Sequence, residues 1–158
     1  MQLLLLEKLV ILWSIIMDIE THSISLTTKG NCDLIDITEK VGNLINENNF
    51  SEGNVLIFAG GSTAGVTTIE YEPGLLKDYP DFFERVAPAN LNYEHDNTWH
   101  DGNGHSHIRA AIQGASFTVP FSNGKLLLGT WQQIVFIDFD NRSRRREISV
   151  QITGKKKQ

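Results

Sequence analysis

Cysteine is almost missing from this chain: Cys32 stands alone among 158 residues. No internal disulfide can form, and there is no CxxC redox or zinc motif. Positive charge is not in excess either. Fourteen Lys and Arg face 19 Asp and Glu, a net charge of −5, which argues against broad nucleic-acid binding while leaving room for a local basic site. No internal repeat is evident. With 41% hydrophobic and 21% charged residues, the chain has neither a disordered nor a polytopic membrane composition. Its length suits one domain whose core folds unaided, and the expected setting is cytoplasmic.

A long uninterrupted apolar run is absent too. Residues 1–17, MQLLLLEKLVILWSIIM, are mostly apolar, but Glu7 and Lys8 divide them. The remaining stretch is shorter than the ~20 residues that span a bilayer. It has no early basic region and no small-residue cleavage pattern, as a secretory signal would. Three readings stay open: an arm docked on the protein, a weak membrane-associating segment, or sequence upstream of a start at Met17. The expected organisation is an apolar extension over 1–16, a single domain over 17–154 and a basic, solvated tail over 155–158, with no stable membrane insertion.

What is present reads as an α+β domain: a mainly antiparallel β-sandwich with two or three helices. Alternation of Ile24, Leu26 and Thr28 predicts an opening strand. Asp36-Ile37-Thr38-Glu39 is a capping-box pattern, followed by Ile37, Val41, Leu44 and Ile45 at helical spacing. Residues 54–59 read as a fully buried strand and Val66–Tyr71 as another. Leu75, Leu76, Tyr79, Phe82, Phe83 and Val86 trace a helical face, with Asp78 as a candidate cap before Pro80. Residues 90–104, rich in Asn, Asp and Gly, predict a long loop. Strands are expected over His107–Gln113, Ser116–Phe121, Lys125–Thr130, Gln132–Phe139 and Arg146–Thr153, with Asn123-Gly124 as a hairpin turn.

Four of the five histidines fall in residues 93–107. If His105 and His107 begin a strand, their imidazoles leave by one face and can meet one cation, the chemistry zinc and other borderline metals prefer. His95 can fold back as a third ligand. Asp96 or Asp101 can supply an oxygen or orient an imidazole, and Arg109 continues the same face as a substrate-binding cation. The competing reading makes these ordinary loop histidines; His100 is read as a local packing or solvent residue, and His22 as an exposed residue of the opening strand.

Gly60-Gly61-Ser62-Thr63-Ala64-Gly65 can cradle phosphate on its backbone, with Ser62 and Thr63 hydroxyls as donors, or can simply join two strands. It lacks a P-loop Lys and the spaced glycines of a dinucleotide fingerprint. Glu70 and Glu72 share a face and can lend a carboxylate to a cleft. No GxSxG elbow supports acyl transfer. Gly129-Thr130-Trp131-Gln132-Gln133 is either a bulge with a buried indole or a polar pocket wall. The run Arg142, Arg144, Arg145 and Arg146 reads as a solvated or inter-subunit salt-bridging patch.

Ser62-Thr63-Ala64 with Glu70, the block Asp101-Gly102-Asn103-Gly104-His105-Ser106-His107, and Gly129-Thr130-Trp131-Gln132-Gln133-Ile134 resemble the YjbQ-like family, often labelled secondary thiamine-phosphate synthase. The resemblance runs from about Asp18 to Gly154; residues 1–16 have no counterpart. It implies a compact α+β sandwich assembled as a homotrimer, with a histidine-rich site that can hold a metal. The label implies a transferase joining a hydroxymethylpyrimidine pyrophosphate to a thiazole phosphate.

The leading expectation is therefore a metal-dependent enzyme acting on a small phosphorylated metabolite. His95, His105 and His107 would hold a divalent ion such as zinc. Asp101, Asp96 and Glu70 would act in catalysis, and Arg109, Gly61, Ser62, Thr63, Thr130 and Gln132 would bind substrate. The alternative is a non-catalytic trimeric protein that binds a metal or a phosphometabolite.

Overall fold

The computed structural model describes residues 17–157; the apolar extension over 1–16 lies outside them. Strand β1 (Asp18–Thr28) alternates as predicted, turning Ile24, Leu26 and Thr28 inward and Ser23, Ser25 and Thr27 outward. It pairs along its full length with β8 (Arg144–Lys156). β8 in turn pairs with β3 (Phe50–Ala59), β3 with β5 (Ser116–Ser122), and β5 with the short β6 (Lys125–Leu126). A second sheet has β7 (Gln133–Asp138) between β2 (Asp33–Asp36) and β4 (Ala64–Ile69). Every pairing is antiparallel.

The inner faces of the two sheets share one core. Ile24, Ile57, Val66, Phe121, Phe136 and Ile148 meet there, and α1 (Thr38–Glu47) adds Val41 and Ile45. The far face of the small sheet is covered by α2 (Leu75–Val86) and α4 (Gly104–Gln113), so Val135, Ile137 and Phe139 pack on Phe83 and Ala110. β7 is thus apolar on both faces, which explains its unbroken hydrophobic run.

Two antiparallel sheets with helices match the expected α+β class. The described residues hold four helices, however, rather than two or three. The fourth is α3 (Glu94–Trp99), which lies where a loop was expected. Lys125–Thr130 is mostly irregular. β3 is half-buried instead of fully buried, with Phe58 on the outer face. The basic tail is partly ordered, because β8 continues to Lys156, which pairs with Glu20.

The helix starts differ in detail from the sequence reading. Asp36 Oδ1 accepts from the Thr38 N–H and hydroxyl at 2.8 and 2.6 Å, but no Glu39 hydrogen bond completes a box among the described residues. Ile37 instead donates its N–H to the Ile134 carbonyl at 2.9 Å, tying α1 to β7. At α2 the cap is Glu72, not Asp78: its carboxylate accepts from the Gly74 and Leu75 N–H groups. Pro80 therefore lies inside the helix, where the Leu76 carbonyl goes without its usual partner.

Candidate metal centre

The histidine-rich block folds as two helices, not as a loop leading into a strand. Acidic Glu94 and Asp96 sit in the first turn of α3, where they favour the helix N-terminus. His100 ends the helix in the left-handed conformation, with φ of 54°. The chain then turns straight into α4. Asp96 Oδ1 accepts the Gly104 N–H at 2.9 Å, and Asp101 Oδ1 accepts the Asn103 N–H at 3.2 Å. Buried Asn103 accepts from the Asn141 N–H at 3.1 Å, and the Asn141 amide donates to the Asp101 carbonyl at 2.8 Å. These bonds fix the loop against the connection between β7 and β8. Gly104 lets α4 approach α3, because a Cβ there would collide with the Tyr93 side chain.

This helix separates the His-x-His pair. Two positions along an α-helix differ by about 200°, so His105 and His107 leave on opposite sides. His107 joins His95 and Asp101. The two rings lie with centroids 4.2 Å apart, and His95 Nε2 stands 3.6 Å from Asp101 Oδ1. One donor atom from each of the three residues falls within 4.8 Å of the others. His95 Nε2 is buried and has no hydrogen-bond partner among the described residues. An orphaned imidazole nitrogen facing a second imidazole and a carboxylate suits a borderline divalent cation. Three such ligands would be enough to hold a divalent ion such as zinc while leaving it able to bind a further ligand.

His105, assigned to the ligand set from its spacing, is instead only 5% exposed inside the molecule. Its Nε2 lies 3.3 Å from Ser106 Oγ, its Nδ1 has no partner among the described residues, and the Tyr93 ring stands beside it. Burial, followed by the positive charge of Arg109, pushes its pKa below the ordinary value.

Arg109 is also turned inward. Nε and Nη2 donate to the Ala87 carbonyl at 2.9 and 2.7 Å, and Nη2 pairs with Glu84 at 2.5 Å. It clamps α4 to the end of α2 rather than extending a ligand face. The Glu84 carboxylate is held below its usual range by the Ala89 N–H and then by Arg109.

The Gly60–Thr63 turn joins β3 of one sheet to β4 of the other, and it shares a cavity with His107. A cavity of 280 Å³ is lined by Gly61, Ser62, Ala64, His107, Ala111 and Ala115, among others. Thr63 is buried beneath it: its hydroxyl donates to Asp140 at 3.0 Å and accepts from Arg146 Nη2 at 2.8 Å. Arg146 also grips Asp138 through Nε and Nη2 at 2.7 and 2.6 Å, while Arg144 pairs with Asp140 at 2.9 Å. Two members of the arginine run, Arg144 and Arg146, are therefore half-buried and point toward the buried carboxylates rather than to solvent. Their parity with inward Ile148 and Val150 on β8 is the sequence signal that could have shown it.

Glu70, Thr130 and Gln132 lie elsewhere. β4 pairs Ala64 with Asp138 at one end and Ile69 with Gln133 at the other. Glu70 and the Gly129–Gln132 turn thus stand roughly 20 Å along the strand from Ser62. Trp131 in that turn is 68% exposed, not a buried indole. Gln132 folds back, accepting the Gly129 N–H at 2.8 Å.

A family model described as "UPF0047 protein YjbQ-like" matches residues 22–155. The chain is 37% identical over 125 residues to a UPF0047 protein of Archaeoglobus fulgidus, covering 79% of this chain and 95% of that one. It is 37% identical over 130 residues to the UPF0047 protein YugU of Bacillus subtilis, covering 81% and 94%. Among solved structures, a YbjQ-like protein of unknown function from Sulfolobus solfataricus superposes with a TM-score of 0.83 at 31% identity, covering 89% of this chain and all of that one. A YjbQ/UPF0047 protein of Clostridium acetobutylicum gives 0.75 at 36% identity, covering 83% and 98%.

Proposed function

The chain belongs to the YjbQ-like (UPF0047) family, and on that premise we propose that it is a metal- and phosphometabolite-binding protein whose ion sits among His95, Asp101 and His107. The observation that carries this reading is the buried Nε2 of His95, without a hydrogen-bond partner among the described residues, beside a second imidazole and a carboxylate. A bound divalent ion would supply Lewis acidity and charge neutralisation next to the cavity. The protein's own groups do the rest. Asp96 and Asn103 hold the loop that carries Asp101, and Gly61 and Ser62 present backbone donors to an anionic ligand. Homotrimeric assembly belongs to the same reading; the exposed Trp131 is an indole a neighbouring copy can cover. No helix among the described residues is long and apolar enough to cross a membrane.

A second reading makes the protein a metal-dependent transferase of the thiamine-phosphate synthase type. It is favoured by His107, which is both one of the three candidate ligands and part of the cavity lining. In that reaction the bond from the pyrimidine methylene carbon to pyrophosphate oxygen breaks, the thiazole nitrogen forms the new C–N bond, and pyrophosphate departs. Asp101 or Asp96 would position groups around the departing charge. Zinc-loaded protein offered both substrates separates the readings. Calorimetric binding without pyrophosphate release supports the binding protein. Release that disappears in a folded His95→Ala/His107→Ala variant supports the enzyme, and neither binding nor release contradicts both.

A further inference from the structure

We infer that the Gly60–Ser62 turn, backed by Arg146, is a phosphate subsite that captures a tetrahedral oxyanion independently of the metal. The inference rests on reading the cavity beside His107 as the ligand site, and it makes Arg146, rather than Arg109, the cation of that site.

Three observations converge on the turn. First, its backbone donors are unspent. The flanking Ala59 N–H is bonded to the Ala115 carbonyl at 2.8 Å, and the Thr63 carbonyl accepts from Phe139 at 2.9 Å. Among the described residues, however, the N–H groups of Gly60, Gly61 and Ser62 and the Ser62 hydroxyl have no protein partner, and all three residues are exposed. Consecutive free backbone donors in a turn are a means of binding an anion.

Second, a guanidinium stands directly behind them. Nε and Nη2 of Arg146 are fixed by the paired hydrogen bonds to buried Asp138 and by Thr63. Nη1 has no protein acceptor among the described residues. A guanidinium locked by a two-point carboxylate contact presents its remaining nitrogen with little ordering cost.

Third, Gly61 has no conformational reason to be glycine, since it is not among the positive-φ residues. A Cβ built there meets only one atom within 4 Å, Arg146 Nη1 at 3.5 Å. What the missing side chain provides is access to that nitrogen. The adjoining cavity, 280 Å³ and walled by Ala64, Ala111 and Ala115 with His107 on its rim, lies near the small end of metabolite sites. The ligand class is therefore a compact phosphate ester or diphosphate, with its phosphoryl oxygens on the turn and its other end toward His107.

The test is calorimetric titration of inorganic phosphate into chelator-treated protein, comparing the parent with Gly61→Val, Ser62→Asp and, as a control away from the site, Ser23→Ala on the outward face of β1. Gly61→Val covers Nη1 without touching the Asp138 pair, and Ser62→Asp puts a like charge in the anion's place. The parent should bind phosphate with the metal removed, and Ser23→Ala should bind it equally. Each turn variant should bind at least about tenfold more weakly, as expected for losing a charge-assisted hydrogen bond, with an unchanged melting temperature. If Gly61→Val melts early, Ser62→Asp decides. Absence of phosphate binding in the metal-free parent, or parent-like affinity in Ser62→Asp, overturns the subsite. Zinc titration of the same proteins reports separately on the metal centre, so either proposal can fail while the other stands.

Discussion

The His95 and His107 rings face each other with centroids 4.2 Å apart and planes inclined by 42°, whereas His105, two residues from His107, is turned into the interior. Their roles should separate accordingly. His107→Ala is expected to weaken zinc binding by more than about 100-fold, beyond the roughly 10–100-fold typical of losing an outer-shell partner. His105→Gln should leave the affinity within that outer-shell range and act mainly on stability. Competitive titration with a chromophoric chelator measures both; equal losses would undo the assignment.

Gly104 sets the distance between α3 and α4. Gly104→Ala places a methyl group against Tyr93 and should cost about 1–3 kcal/mol, the usual range for overpacking. Because α3 carries His95, the same change should also reduce zinc affinity. Urea unfolding and zinc titration of one variant check both effects.

The Arg146–Asp138 pair is a buried ionic contact between the two sheets, with Asp138 fully buried. Arg146→Met leaves that carboxylate uncompensated and should destabilise the protein by about 3–5 kcal/mol. Adding Asp138→Asn should restore a substantial part of the loss. An Arg146→Met variant as stable as the parent in urea would show that the pair contributes little.

His105 gives the protein an acid-side liability. Burial and Arg109 hold its pKa below the ordinary 6.5, so the unfolded chain takes up the proton first. Its contribution to stability is fully present above pH 6.5 and is lost as the pH falls toward the lower folded value. Thermal melts in chelator between about pH 5 and 7.5 should show a steeper decline for the parent than for His105→Gln. Superimposable profiles would remove His105 from the explanation.

The strands with one wet face and the helices with a plain apolar stripe were legible in the sequence. β1, α1 and the Asn123-Gly124 hairpin, with φ of 52° and 74°, follow directly from alternation, helical spacing and turn chemistry. The site was harder because α4 inverts the usual pattern. Its buried face carries His105, Ser106 and Arg109, while Ile108 and Ile112 are 46% and 53% exposed. A rule that turns apolar residues inward misreads such a helix, and two histidines two positions apart then look like a strand. The i, i+4 pairs His105/Arg109 and Ser106/Ala110 were the available helical signal. α3 is only six residues long and mostly polar, and it depends on the contact from Asp96 to Gly104, which no local propensity encodes. His95, Asp101 and His107 were all among the residues singled out from sequence, but the helix, rather than strand parity, determines which of them meet.

The most direct measurement is the metal content of untagged protein, by elemental mass spectrometry, for the parent, His105→Gln and His95→Ala/His107→Ala. Near-stoichiometric divalent metal in the parent and in His105→Gln, lost from a folded double variant, is the predicted result. No metal in the parent after zinc supplementation, or full occupancy in the double variant, would contradict the proposed centre.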